Sequence, residues 1–482
     1  MREGLNLVFG ASGYIGGHLV SRLLAAGKPV RAAARDAASL DRRGWEEVER
    51  MSADALEPET LDPVLAGVHT AYYLVHSMSA GKDFAKLDLE CAENFAAAAE
   101  RAGIRRIVYL GGLIPSGADS EHLVSRKETG DRLRAGAVPV TELRAGIIVG
   151  PGSAAFEVIR DLVNALPAMV TPRWVRARTP PVALDNLLEY LVRIPEHDSA
   201  AGQIFDAAGP EELSYEELMH EFGNIVGRRP LIVPVPVLTP TLSSYWLGLV
   251  TTVPTPVARA LIGGLAYDIE ADPEPLRRLV PQKLLSYREA VTAAMEAERL
   301  DAVAGRWTEG ALMYRNYRHD YAFYAKRASG SAVTSATPES VWEVLTAIGG
   351  RNRYYALDFL WTLRELADWF VGGPGFNRGR RNTRELRIGD TVDSWQVIGL
   401  EPARRLTLLF GMKAPGAGVL EFEIEPHEEG ARITVTAYWH PRGALGLLYW
   451  YPLAPFHRLI FDRMTDAIGR RAAAGEAAPA TT

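Results

Sequence analysis

The chain has 482 residues, 48% of them apolar and 23% charged, with 44 glycines and 30 prolines. This excludes a disordered, collagen-like or disulfide-scaffold protein and leaves room for several globular domains. Lys and Arg number 53 against 59 Asp and Glu, a net charge of −6 that offers no electrostatic footprint for nucleic acid. The single cysteine, Cys91, permits no intramolecular disulfide and no secretory leader is legible, so a cytoplasmic location is expected.

Residues 5–150 alternate short apolar runs with longer amphipathic stretches, the pattern of parallel strands joined by crossover helices. LNLVFG reads as the first strand. The helix YIGGHLVSRLLAAG follows, with Ile15, Leu19, Leu23 and Leu24 at helical spacing and Gly27 as a left-handed cap. PVRAAAR, a third strand before Asp54, AYYLVHS (71–77), RIVYLGG (106–112) and VTELRAGIIVG (140–150) complete the strands, with FAKLDLECAENFAAAAERAG a helix among them. The expected fold is an α/β Rossmann doubly wound parallel sheet over residues 1–300.

Between the first strand and the first helix lies Gly10-Ala11-Ser12-Gly13-Tyr14-Ile15-Gly16. Three glycines there allow a tight turn, close approach of backbone to a pyrophosphate and helix–sheet contact, while the helix start offers unpaired N–H groups. Gly10, Ser12, Gly13, Tyr14, Ile15 and Gly16 are therefore the expected dinucleotide cradle. At the end of the second strand stands Arg35 in place of an acidic residue, which favours the 2′-phosphate of NADP(H) over NAD(H), though NAD(H) stays possible; a solvated surface arginine is the alternative. Asp54 could accept from the adenine amino group or cap a helix. Val75 and His76 at the end of the fourth strand, and Gly111 at the end of the fifth, are expected to border the cofactor. Tyr72 and Tyr73 are candidates for the nicotinamide pocket or for the core.

Residues 155–300 are mixed, with PVALDNLLEYLVRI, IFDAAG and YEELMHEFGNIVG as elements that would cap the sheet. The uncharged stretch 230–258 is broken by Pro230, Pro234, Pro236, Pro240, Pro254 and Pro256, too often for a membrane span of about 20 residues. It reads as an apolar loop and short helix, serving as core, as a lid or as contact with a membrane surface. No metal site is expected, since Glu217-x-x-His220 stands alone.

After a connector at 301–324, an α+β pattern occupies 325–471. A strand SGSAVTSA, a helix TPESVWEVLTAIGG with Thr337 as its cap, and four strands from TVDSWQVIGLEP to ARITVTAYWHP precede a closing segment read as helical in its second half. Residues 472–482 read as a disordered tail. Trp395 and Trp439, on expected strands, are the candidates for lining a cavity for a small apolar molecule.

Taken together, GASGYIG, the strand ending in Arg35, VYLGGL and HLVSRKETGDRLR resemble the atypical, extended-type short-chain dehydrogenase/reductases, most closely the NmrA-like and complex I accessory-subunit-like branches. The block from GGRNRYYALDFLWTLRELADWFVGG to GLLYWYPLAPFHRLIF resembles the START-like, polyketide-cyclase-like helix-grip family. The first resemblance implies NADP(H) binding and hydride transfer, here to a quinone-, isoprenoid- or lipid-like acceptor; several members of those branches are not demonstrably catalytic, so a cofactor-binding sensor or scaffold is the other implied role. The superfamily's proton-donating Tyr and its Lys four residues on correspond to His122 and Arg126, and Gly111-Gly112 stand where its Ser would be. His122 could serve as general acid, with Arg126 as a fixed cation for the ribose or a phosphate; a structural histidine is the alternative.

Overall fold

Successive residues of the first strand enter different cores: Val8 packs with Leu19, Tyr72 and Val108, while Leu7 and Phe9 pack with Tyr73, Phe95 and Tyr109. A strand buried on both faces belongs inside a helix-covered parallel sheet. The computed structural model, which describes residues 4–37, 40, 43, 45, 47–75, 84–115, 121–235, 247, 250–253, 267–299, 324–350, 352–370 and 386–475, builds that sheet within the first of two units, Met1–Trp307 and Thr308–Thr482.

In the first unit seven parallel strands, β1 (Leu5–Phe9), β2 (Val30–Ala34), β3 (Glu49–Ser52), β4 (Val68–Tyr73), β5 (Arg106–Gly112), β6 (Val140–Ala145) and β7 (Ile204–Ala207), lie in the order β7-β6-β5-β4-β1-β2-β3. The order reverses between β1 and β4, the switch point where such sheets bind ligands. Helices α1 (Tyr14–Ala25), α2 (Phe84–Arg101) and α3 (Glu121–Arg134) follow β1, β4 and β5. Gly27, at φ +72°, closes α1 as expected. IFDAAG does not cap the sheet: it supplies β7, extending the sheet itself. The run 140–150 splits at Gly146, and Ile148–Val149 pairs with Val182–Ala183 in a separate ladder.

Later elements of this unit include α4 (Ala154–Ala165), α5 (Leu184–Arg193) and α6 (Tyr215–Val226). Ser214 and Glu217 form a capping box that starts α6. The uncharged stretch opens as a strand, Leu231–Val235, paired with Ala168–Pro172. Most of its remainder lies outside the described residues, in which no helix is long and apolar enough to cross a membrane.

The second unit is α+β. Strands β8 (Lys326–Thr334), β9 (Thr391–Val392), β10 (Trp395–Glu401), β11 (Arg405–Phe410), β12 (Gly416–His427) and β13 (Gly430–Pro441) form an antiparallel sheet ordered β8-β13-β12-β11-β10-β9. Helices α7 (Pro338–Thr346), capped by Thr337, and α8 (Asp358–Phe370) lie between β8 and β9. The closing helix α9 runs from Gly443 to Ala473, throughout the segment and past residue 471, and packs on β8 and β13. Pro452 and Pro455 stand inside this helix and cannot donate to the carbonyls of Leu448 and Tyr451, and Leu445 and Leu448 in the same half are near 70% accessible.

Candidate functional site

At the switch point the turn after β1 takes the conformation its glycines permit. Gly10 has φ +97°, and a Cβ there would lie 2.9 Å from the carbonyl oxygen of Leu74. Gly16 packs so closely on the turn that a Cβ would overlap the carbonyl oxygen of Gly10. Gly13 is the N-cap of α1 and no side chain caps this end, so the first-turn N–H groups are left for a ligand. No acidic residue stands in that turn to repel an anion.

A cleft of about 320 Å³ opens over the turn, lined by Gly10, Ser12, Gly13, Arg35, Asp54 and Val75 among others. Arg35 lies exposed just past the end of β2. Asp54 is partly committed: its Oδ1 accepts the Leu56 amide at 3.0 Å, a local turn, while the residue still borders the cleft. Arg31, by contrast, is structural, bonded to Glu49 and to the carbonyls of Val64 and Ala66. Tyr14 and Ile15 open α1, Tyr14 edge-on to His18 and Ile15 packed against the core, so both support the turn. Cys91 reaches the cleft, but burial, reinforced by Asp54 and Asp88, pushes its thiol up to about 12, which keeps it protonated.

The sequence did not single out Arg43. Its Nη2 donates to the carbonyl of Ser12 at 2.7 Å across 31 residues of chain, and its Nη1 is buried with no partner among the described residues. Nothing local to Arg43 signals that contact.

At the carboxyl end of β5, Gly111 and Gly112 have different surroundings. A Cβ on Gly112 would sit 3.4 Å from Cδ and 3.5 Å from Nη1 of Arg126, so Arg126 lies over the position. Its Nε is buried without a hydrogen-bond partner among the described residues. The Tyr109 hydroxyl, at 2.9 Å, donates to the Arg126 carbonyl and ties α3 to the sheet. Gly111 is different, since a Cβ there would lie 2.7 Å from Oε1 of Glu142, a buried carboxylate that accepts from Arg134 and, at 2.8 Å, from Arg144. His122 is the second residue of α3, one turn before Arg126; its side chain, like the whole of His76, lies outside the described residues.

Tyr72 and Tyr73 are core residues and leave the list of proton donors. Tyr72 is fully buried with its hydroxyl donated to the Leu191 carbonyl at 3.1 Å. Tyr73 packs among Phe9, Phe95 and Tyr109. Burial pushes both hydroxyls above their ordinary range. Tyr72→Phe is expected to lower stability by about 1 kcal/mol, the worth of an ordinary hydrogen bond, with cofactor affinity unchanged; urea unfolding and calorimetry check both.

In the second unit Trp395 and Trp439 are both buried within one run of rings. Trp395 meets Phe410 edge-on at 5.3 Å, and Trp439 stacks on Trp450 at 6.4 Å while its Nε1 donates to the Gly446 carbonyl. No group of three or more His, Cys, Asp or Glu side chains able to hold a metal occurs among the described residues.

With this geometry in view, the relatives divide along the two units. Residues 10–136 match a family described as NAD(P)H-binding, and residues 322–464 match a domain family of unknown function, DUF2867. A (4-alkanoyl-5-oxo-2,5-dihydrofuran-3-yl)methyl phosphate reductase of Streptomyces griseus is 29% identical over 231 residues, covering 46% of this chain and 74% of that protein. Sterol demethylase protein B of Methylococcus capsulatus is 34% identical over 128 residues, 24% of this chain and 38% of that protein. Among solved structures, the Citrobacter triphenylmethane reductase complexed with NADP(H) superposes with a TM-score of 0.50 at 19% identity, over 60% of this chain and 99% of that one. An Escherichia coli NADPH-dependent quinone oxidoreductase complexed with NADPH gives 0.50 at 18% identity, over 60% and 99%. The first unit is thus a Rossmann-like parallel sheet whose residues 10–136 match an NAD(P)H-binding family; the second is an α+β domain whose residues 322–464 match DUF2867.

Proposed function

We propose that this protein is an NADPH-dependent reductase of an apolar acceptor, a quinone-, isoprenoid- or lipid-like molecule that the second unit, read as a START-like helix-grip domain, helps to hold. The observation that carries the reading is Arg126: a cation over Gly112 at the end of β5, with a buried Nε that no described residue satisfies. The glycine turn fits a dinucleotide, because Gly10 and Gly16 leave no room for side chains and α1 begins with unpaired donors. When bound, the nicotinamide supplies a hydride. The turn amides hold the pyrophosphate, Arg126 fixes the ribose or a phosphate, and His122 gives the proton. The reductase from Streptomyces griseus supports this assignment by its name and by the 74% of its length that aligns.

The discriminating experiment is NADPH oxidation by the full chain with a panel of quinones and enones. Acceptor-dependent loss of absorbance at the reduced-nicotinamide band is expected. Tight NADPH binding with no oxidation by any acceptor would instead favour a cofactor-binding sensor or scaffold, the reading that the glycines at 111 and 112 and the buried Tyr72 and Tyr73 support.

For cofactor choice, Arg35 at the rim of the cleft is proposed to take the 2′-phosphate. Arg35→Asp is expected to weaken NADPH by roughly tenfold or more while NADH is held or improved, because a charge-assisted contact becomes a repulsion. Calorimetry with both cofactors checks this, and an equal response would remove the NADP preference.

A further inference from the structure

Arg364 on α8 stands between two rings of the second unit, its guanidinium carbon 4.9 Å from the centroid of Phe410 and 5.1 Å from that of Tyr449. Ring faces attract a cation, but they leave its five N–H donors largely unmet. Among the described residues none accepts a hydrogen bond from this guanidinium or pairs with it at ion-pair distance. Asp368, one turn on, exerts an electrostatic pull on Arg364, yet its Oδ1 accepts the Lys413 amide at 2.7 Å. Burial outweighs that pull and lowers the guanidinium's pKa to about 10.

Beside this half-buried guanidinium two polar atoms are buried without a partner among the described residues: the Tyr449 hydroxyl and Nδ1 of His457. Burial, with Arg364 adding to it, lowers the imidazole to about 4, so it is neutral at pH 7 and adds no competing charge. The three polar groups border one continuous set of rings, in which Phe410 lies 5.3 Å from Trp395 and 6.2 Å from Trp439, Trp439 lies 5.0 Å from Tyr449, and Trp450 lies 4.9 Å from His457. Elsewhere in the set a donor does find its acceptor, as Trp439 does at the Gly446 carbonyl. Two buried polar atoms left unmet beside one cation mark a place where a ligand completes the bonding.

We propose that the second unit binds an organic acid with a long apolar body, its carboxylate on Arg364 within reach of Tyr449, and its chain against Trp395, Phe410 and Trp439. This rests on the reading that the second unit holds a small apolar molecule, and it adds the charge of that molecule.

The test titrates the full chain at pH 7.5 with cis-parinaric acid and with its methyl ester, following energy transfer from tryptophan. The acid should saturate and bind at least about tenfold more tightly than the ester. In Arg364→Gln that advantage should shrink to within about twofold, with ester affinity unchanged. Arg364→Met, which keeps an apolar stem between the rings, carries the same expectation should the Gln variant fail to fold by circular dichroism. Equal binding of acid and ester by the native chain, or an advantage that survives both substitutions, overturns the acid assignment and leaves the apolar reading standing. Saturation by neither probe overturns both.

Discussion

His122→Phe is expected to cut NADPH-dependent turnover by roughly 10²–10⁴-fold with NADPH affinity nearly intact, the usual loss for a removed general acid. The expectation follows from position. His122 is the second residue of α3, one turn before Arg126, which lies over Gly112 at the end of β5. With Tyr72 and Tyr73 enclosed in the core, neither phenol is free to deliver the proton. Stopped-flow kinetics with the best acceptor from the quinone panel, alongside NADPH calorimetry, separates a lost proton donor from lost binding. An unchanged rate would place proton delivery with solvent.

Gly13→Asp is expected to abolish dinucleotide binding while leaving the protein folded. Gly13 caps α1 at φ −73° and ψ 172°, extended backbone open to any residue, though a Cβ there would sit a tight 3.1 Å from the Gly10 carbonyl oxygen, which must give by a few tenths of an ångström. Aspartate is moreover a preferred N-cap, so the helix start should hold or gain a few tenths of a kcal/mol. The same carboxylate would stand where the pyrophosphate approaches and would occupy the donors it needs. Calorimetry should show no NADPH uptake at a melting temperature within a few degrees of that of the native chain, the cap gain offset by the tight contact with Gly10. Retained affinity would sink the assignment of the turn.

The strands and the glycine turn were legible because their signals are local. Apolar runs bounded by breakers mark β1, β2 and β5, and the need for positive φ at Gly10 and Gly27 is written in single residues. What escaped was set by register and partner. Neighbours Tyr72 and Tyr73 lie at the end of a strand buried on both faces, where alternation no longer separates core from cleft. Arg43 reaches Ser12 only through the folded path of the chain, and Glu142 meets Gly111 only because β5 and β6 pair Tyr109 with Glu142. Arg364 of α8 meets its rings only through the fold, since Phe410 comes from β11 and Tyr449 from α9. The closing segment was legible as helix only in its second half, whereas the helix also includes Pro452 and Pro455.

The carboxylate under Gly111 also governs which side chains this position could accept. A serine at 111 would have to displace Glu142, whose Oε1 lies 2.7 Å from where its Cβ must go, and with it two arginine contacts. The absence of a side chain there is held in place by its neighbours. Position 112 is open by comparison: a Cβ would rest at ordinary contact distance, 3.4 Å from Arg126 Cδ, and a hydroxyl would arrive beside the guanidinium. The two adjacent glycines therefore differ in tolerance, one bound into a charged network and the other with room that a one-residue change can fill.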